Sequence, residues 1–251
     1  MGSKNGSATI SVDETTSIPP AKVETISIEG MVIKEFDLHL SGTSPMIVHA
    51  WSEKAKSMML DKQTGASGTK QKKAPKDPLQ DAIDSMYFIR GNPMDFRDKL
   101  GKKFNDERVL TAAECEGFTV GFPIVGFKAA AASAFSFVDS ITKKTIRGAL
   151  HLTNGIPTHQ GDIVPIQFES LHMREDMVRI AMGTADIRFR AEMRNWSTVL
   201  RVKYNARMLN EGTIMNLFTV AGFSIGVGEW RPEKDGSFGM FEVTGASYGN
   251  G

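Results

Sequence analysis

The chain has 251 residues, 41% hydrophobic and 24% charged, with 30 basic against 29 acidic side chains and a net charge of +1. This is the composition of an ordinary globular protein with a substantial core, and it excludes a nucleic-acid binder that works through bulk positive charge. The lone Cys115 excludes an internal disulfide framework and points to a reducing, cytoplasmic setting. Residues 1–30 are rich in Ser, Thr, Gly and Pro, which predicts a flexible N-terminal arm with no secretory signal. The remainder, 31–251, is expected to form a single α+β domain. Glu35-Phe36-Asp37-Leu38-His39-Leu40 alternates polar and apolar side chains, the period of a half-buried strand. Ser44-Pro45 breaks it, and Met46-Ile47-Val48 continues it. Ser52 is the expected N-cap of a helix through Leu60. Residues 61–78 then place Lys62, Lys70, Lys72, Lys73 and Lys76 among Gly, Ser, Thr, Gln and Pro. That segment cannot bury enough apolar surface to order itself. It reads as a flexible basic insertion, either a solvated linker or a finger that closes over a polyanion.

Leu79, Ile83, Met86 and Tyr87 share one helical face, which predicts a helix over 79–89. A mixed, charged stretch runs to Glu116. After Pro123 comes an alanine-rich helix over 124–135. Residues 163–171, 185–190 and 198–204 read as strands. In the last, Val199, Arg201 and Lys203 share one face, and Leu200, Val202 and Tyr204 the other. Asn210 is placed to cap a helix with Ile214, Leu217, Phe218 and Ala221 at helical spacing, ending near Gly222. A glycine-rich hairpin and a final strand over 238–243 complete the chain. Runs of strands with interspersed helices indicate α+β rather than a doubly wound parallel sheet, and the expected core is ferredoxin-like (split βαβ) with large insertions. The fourteen methionines are read as adaptable packing in the core or at contacts. No apolar run approaches the roughly 20 residues of a membrane span.

Most chemistry fails on spacing. No glycine run is followed by Gly-Lys-Ser or Gly-Lys-Thr at P-loop spacing. Gly226-Val227-Gly228 follows a helix and precedes a strand, the reverse of the dinucleotide-binding order. Glu114 and Glu116 flank Cys115 and would raise its pKa if close, against a thiol nucleophile. His39, His49, His151, His159 and His172 show no zinc-ligand spacing, so no metal and no cofactor is expected. His172-Met173-Arg174-Glu175-Asp176 gathers a base, a cation and two carboxylates. It reads as a charged turn after a strand, with metal-assisted phosphodiester cleavage by Asp176 and Glu175 as the enzymatic alternative.

A scattered set of cations and aromatics suits binding. It comprises His49, Trp51, Lys54 and Lys56 early in the chain, Lys72 and Lys73 in the insertion, and Lys128 in the alanine-rich helix. Arg188, Arg190, Arg201 and Lys203 lie on strand faces. Trp230, Arg231 and Lys234 stand among Gly222, Gly226, Gly228, Gly236 and Gly239. Such groups can follow the phosphates of a single strand and stack its bases. For the strand cations the alternative is cross-strand pairing with carboxylates such as Asp186 or Glu192.

Three segments resemble the RAMP superfamily, in particular the backbone subunits of CRISPR effector complexes. They are Phe36-Asp37-Leu38-His39-Leu40 with Ser44-Pro45-Met46-Ile47-Val48, then Phe122-Pro123-Ile124-Val125-Gly126-Phe127-Lys128-Ala129-Ala130-Ala131, and the glycine-rich stretch 222–241. The stretch departs from the family pattern where Glu229-Trp230-Arg231-Pro232-Glu233 adds bulk and two negative charges. The resemblance implies a modified RNA-recognition fold, assembly into a helical filament and sequence-independent binding along RNA. It thereby favours RNA over DNA, a homo-oligomer, further effector-complex subunits as partners, and a bacterial or phage-infected cytoplasm. The alternatives are a phage structural or assembly protein, whose arm and insertion would reach neighbouring subunits, and a protein that coats or anneals single-stranded DNA.

Overall fold

The alternation at 35–40 lies within β1 (Ile33–Gly42), where Phe36, Leu38 and Leu40 are buried and the residues between them look outward. The computed structural model describes residues 30–51, 53–64, 75–138, 141–179 and 185–248. The chain bends at Ser44-Pro45 into β2 (Met46–Ile47). Two bonds pin this corner: Trp196 Nε1 donates to the Ser44 carbonyl at 2.8 Å, and Met240 N donates to Ser44 Oγ at 3.0 Å. Helix α1 (Glu53–Gln63) follows, so the first residues of the 61–78 segment are helical, whereas Ser52 and 65–74 fall outside the described residues.

Asp77 accepts from Gln80 N and Pro78 occupies the first turn of α2 (Pro78–Asp84), both standard helix-starting devices. The helix expected over 79–89 stops there. Ser85 Oγ donates to the Ala82 carbonyl and accepts from Ala191 N, which ties the helix end to a strand. Tyr87, Phe88 and Ile89, residues that favour a pleated surface, extend instead as β3 (Tyr87–Arg90). Asn92 caps α3 (Pro93–Glu107) within the charged stretch, and β4 (Val109–Thr111) and β5 (Thr119–Pro123) follow. The alanine-rich segment forms α4 (Ile124–Ser133), then a 3-10 turn over Ala134–Phe137, α5 (Lys143–Ala149) and β6 (Leu150–Leu152).

β7 (Ile156–Thr158) and β8 (Gly161–Pro165) make a hairpin. The strand expected over 163–171 is two strands in two sheets. β8 ends at Pro165, and β9 (Ser170–Arg179) begins after a crossing where Gln167 bridges to Ser197. Val164, Ile166 and Phe168 keep the period of two across that crossing, which hides it from periodicity. The residues 172–176, expected as a turn, lie inside β9. The chain closes with β10 (Ala185–Arg194), β11 (Ser197–Asn205), α6 (Glu211–Ser224) and β12 (Phe241–Ser247). Asn210 caps α6 as expected, accepting from Thr213 N at 2.8 Å.

The strands form three sheets, ordered β12-β1-β11-β6, β2-β10-β9-β4 and β3-β5-β8-β7, with every named pairing antiparallel. Together with the helices this is a mixed α+β architecture. In the first sheet, α4 and α5 lie in the chain between β1 and β6, and α6 lies between β11 and β12. Its inner face (Phe36, Leu38, Leu40, Leu200, Val202 and Tyr204) shares one apolar core with Phe127 and Ala131 of α4 and Leu217, Phe218 and Ala221 of α6. Its outer face carries Glu35, Asp37, Val199, Arg201 and Lys203 in register. The described residues beyond Gly30 cluster in one compact unit.

Candidate nucleic-acid interface

The glycine-rich segment is a pinned loop rather than the expected hairpin. Its ends touch through Val227 N to the Gly239 carbonyl at 2.9 Å and Phe238 N to the Trp230 carbonyl at 3.0 Å. Between them the chain makes a 3-10 turn at Pro232–Lys234. Positive φ at Gly226, Gly228, Trp230, Asp235 and Gly239 takes the backbone out of extended geometry, so no ladder forms. The loop docks on the β1–β2 corner instead. Gly239 N donates to the Pro45 carbonyl at 2.7 Å, and Glu229 N to the Ile47 carbonyl at 2.9 Å. A Cβ at Gly236 would overlap the Trp230 carbonyl, and one at Gly222, inside α6, would overlap the backbone of Phe241.

This loop holds Trp230 at φ +53, 40% exposed. A bulky side chain in the left-handed region is an outlier that the surrounding structure must enforce. Trp51, 58% exposed, stands just beyond the β2 strand to which the loop is joined by the Ile47–Glu229 bridge. The two indoles therefore sit on chain segments that the structure ties together.

Beside Trp51 opens a cleft of about 430 Å³, lined by His49, Trp51, Lys76, Asp186, Arg188 and Arg190 among others. Lys76 pairs with Asp186 and also donates to the Ile187 carbonyl. Arg188 lies 3.7 Å from Asp186. Arg190 is almost fully buried, 3.6 Å from Asp176 and 4.0 Å from Glu229; its Nε and Nη1 have no hydrogen-bond partner. Burial lowers the Arg190 pKa against the pull of Glu229 and Asp176. His49 holds the Glu229 carboxyl below its usual value against desolvation, with Arg190 and Arg188 assisting. At 3.7 Å the His49–Glu229 contact is an ion-pair distance rather than a hydrogen bond. Behind the cleft, Arg174 bonds Asp176 at 2.8 Å and Glu192 at 2.9 Å, and its guanidinium lies 4.5 Å from the Phe238 ring centre. That stack holds the far limb of the loop.

The other candidate residues lie elsewhere. Arg201 grips Asp37 through two bonds of 2.9 and 3.0 Å, and Lys203 reaches Glu35 at 3.0 Å. The cross-strand alternative therefore describes these cations, with β1 supplying the carboxylates. Lys128 is half-buried, 3.2 Å from His151 Nδ1, and burial lowers its pKa. Arg231 folds back on Glu233 and the Gly228 carbonyl, whereas Lys234 is exposed on the 3-10 turn. Lys54 and Lys56 lie on α1, Lys56 half-buried; Lys72 and Lys73 fall outside the described residues. The sequence names Arg174 only as the cation of a charged turn and does not single out Gln160. Gln160 sits in the β7–β8 turn that Gly161 marks, the one signal it offered.

Asp176 and Glu175 cannot share a metal ion, because neighbours on a strand point to opposite faces. Asp176 is buried against Arg174, and Glu175 is exposed towards Arg108 at 3.9 Å. Among the described residues no group of three or more His, Cys, Asp or Glu is placed to hold a metal. Cys115 is buried, and burial alone, not its flanking glutamates, pushes its thiol up to about 11. No helix among the described residues is long and apolar enough to cross a membrane.

Neither a protein-family profile nor a curated protein matches the sequence. Among solved structures, a chain in the cryo-EM structure of the type III-B Cmr-beta bound to cognate target RNA is similar at a TM-score of 0.41 and 10% identity, over 86% of this chain. This chain spans 60% of that one. The crystal structure of Cmr6 from Pyrococcus furiosus is similar at a TM-score of 0.31 and 12% identity, over 85% of this chain and 100% of Cmr6. Both structural likenesses are weak.

Proposed function

We propose that this protein binds single-stranded nucleic acid, RNA in preference to DNA, through stacking on Trp51 and Trp230. The observation that carries the reading is Trp230, an exposed indole held in the left-handed region by a loop that is bonded at both limbs. Exposed aromatics on a rigid platform accept any base by its π-face. The cleft beside Trp51 offers Lys76 and Arg188 to phosphates, but Asp81, Asp84 and Asp186 line it as well. Stacking therefore contributes more to binding than phosphate attraction does.

The order β12-β1-β11-β6, with helices between the first and second and between the third and fourth of these strands along the chain, supports a ferredoxin-like core into which the other two sheets are inserted. The preference for RNA, a cytoplasmic setting, and assembly as a repeated subunit of a filament rest on the RAMP resemblance of 36–48, 122–131 and 222–241. Exposed Phe137 and Phe223 supply apolar surface for contacts between copies.

Fluorescence anisotropy with labelled single-stranded RNA and DNA tests the reading. Trp51→Ala and Trp230→Ala are each expected to weaken binding by about 1–3 kcal/mol. No binding by the purified protein at low salt defeats it. Absorbance at 260 and 280 nm across a sizing column, before and after nuclease, tests the filament. A large species that carries nucleic acid and shrinks on digestion is expected.

A further inference from the structure

A second cleft, with neither Trp51 nor Trp230 in its wall, opens over the strands β9 and β10. Its volume is about 330 Å³, and it is lined by the 42–45 corner and by Val109, Glu169, Ser170, His172, Arg194 and Asn195. Arg194 stands opposite Ser170 and Glu192 opposite His172 in the register of the two strands, and directly opposed residues of an antiparallel pair share a face. The Arg194 side chain is 51% exposed and uses only Nε within the protein, donating to Glu192 Oε1 at 2.7 Å. Its two terminal nitrogens have no partner among the described residues. Glu192 is itself buried and accepts from Arg174 Nη1 at 2.9 Å, so the Nε bond holds the guanidinium on a fixed support. A guanidinium fork of this kind matches the oxygens of a phosphate.

Hydroxyls and an imidazole line the same cleft. Ser170 Oγ and His172 Nε2 lie 2.9 Å apart. Thr43 is exposed, and Ser44 Oγ, which accepts from Met240 N, keeps its own proton to donate. The charge balance favours an anion. Glu192 is shared between two arginines, and Glu169, the one carboxylate in the wall, is engaged by the Asn195 amide. Burial lowers the His172 pKa, and Arg194 lowers it further than Glu192 raises it, so the potential at the imidazole is positive on balance.

We infer that this cleft binds a phosphate group, with Arg194 as its anchor and Thr43, Ser44, Ser170 and His172 as hydroxyl and imidazole partners. The phosphodiester of a bound strand and the phosphate of a free nucleotide offer the same oxygens, so the site does not depend on the stacking reading.

Proton NMR of the imidazole C–H signals tests it, with His172 assigned by the signals that His172→Gln removes. Inorganic phosphate, uridine 3′-monophosphate and a short oligouridylate are titrated into the intact protein at constant ionic strength, with chloride as the blank. Saturable movement of the His172 signals is expected. Arg194→Gln is expected to weaken it about tenfold or more, the scale of one charge-assisted hydrogen bond, and Arg194→Lys, which keeps the charge without the fork, to recover part of the loss. Thr43→Val is expected to melt with the parent and still to bind phosphate several-fold more weakly, a loss that a merely structural role for Arg194 would not produce. Oligouridylate that moves His172 at far lower concentration than the monophosphate identifies a strand as the source, and comparable affinities identify a free nucleotide or phosphate. Movement that fails to saturate, is matched by chloride, or persists unchanged in Arg194→Gln overturns the site. An oligomer that binds without moving His172 also overturns it and leaves the nucleic-acid reading standing. Phosphate binding at His172 with no binding of the oligomer at low salt does the reverse.

Discussion

Gly239→Ala isolates the clasp that holds Trp230 in place. Gly239 sits at φ +65, where a Cβ costs about 1 kcal/mol, and that Cβ would overlap the Val227 carbonyl. Relieving the overlap moves the residue away from both of its backbone partners. These are the Pro45 carbonyl, which accepts from Gly239 N at 2.7 Å, and Val227 N, which donates to the Gly239 carbonyl at 2.9 Å. Two hydrogen bonds at about 1 kcal/mol each, added to the backbone strain, bring the expected loss to about 3 kcal/mol. For a domain of this size that lowers Tm by about 6–12 °C. The assay is a thermal melt followed by circular dichroism, joined to hydrogen exchange at the Glu229 and Gly239 amides. Both amides are expected to lose protection, because the loop is undocked from the β1–β2 corner, and nucleic-acid affinity is expected to fall as far as in Trp230→Ala. Gly245→Ala is the control. That glycine lies within β12 with open space at its Cβ position and no positive φ, and its substitution is expected to leave stability unchanged or raise it by up to about 1 kcal/mol. If Gly239→Ala melts with the parent and keeps both amides protected, these two bonds do not hold the loop.

Gly148 lies in α5 with nothing near its Cβ position, so Gly148→Ala is expected to stabilise the protein by about 0.5–1 kcal/mol, read as a higher urea midpoint with an unchanged slope. The Cys115 thiol, pushed up to about 11 by burial, is expected to resist a thiol-specific chromogenic reagent at pH 8 until urea unfolds the chain; rapid labelling of the native protein contradicts its burial. The hydrogen bond from Arg201 holds the Asp37 carboxyl below its usual value. A carboxyl depressed in the folded state stabilises above its unfolded value of about 3.9, and that contribution fades as pH falls through the folded value. Asp37→Asn is therefore expected to be slightly less stable than the parent at pH 7 and equal to it once the pH is below both values, as measured by urea titrations across that range.

Where one face of an element is buried, its sequence announced it. β1, β11 and α6 were legible because Phe36, Leu38 and Leu40, then Leu200, Val202 and Tyr204, then Ile214, Leu217 and Phe218 carry the period of the element into a single core. The errors fall where a distant partner decides. Ser85 ends α2 through a bond to Ala191, more than a hundred residues away. β8 and β9 join different sheets although the apolar alternation runs on between them. The glycine-rich segment has hairpin composition, yet its free backbone groups bond to Pro45 and Ile47, which no local pattern encodes. The candidate site divides in the same way. Trp51, His49 and Trp230 stood out by residue type. Arg194 meets Ser170 and His172 only through the register of β10 on β9, and Arg201 and Lys203 meet Asp37 and Glu35 only through the register of β1 on β11.

That register also bears on how much of any binding is electrostatic. The four cations on strand faces are matched in the folded chain: Arg188 lies near Asp186, Arg190 near Asp176 and Glu229, Arg201 grips Asp37, and Lys203 meets Glu35. A phosphate recruited to any of them competes with a carboxylate already in place, so few counterions are released when a strand binds. Each phosphate neutralised on a single strand contributes about −0.7 to the slope of log K against log salt. With stacking on Trp51 and Trp230 dominant, a slope of about −1 to −2 is expected, the equivalent of two or three phosphates, together with a large loss of affinity on removal of either indole. A slope of about −3 or steeper, four phosphates or more, would mean that these pairs open on binding or that lysines beyond the described cleft carry it, and the stacking-led account would fail.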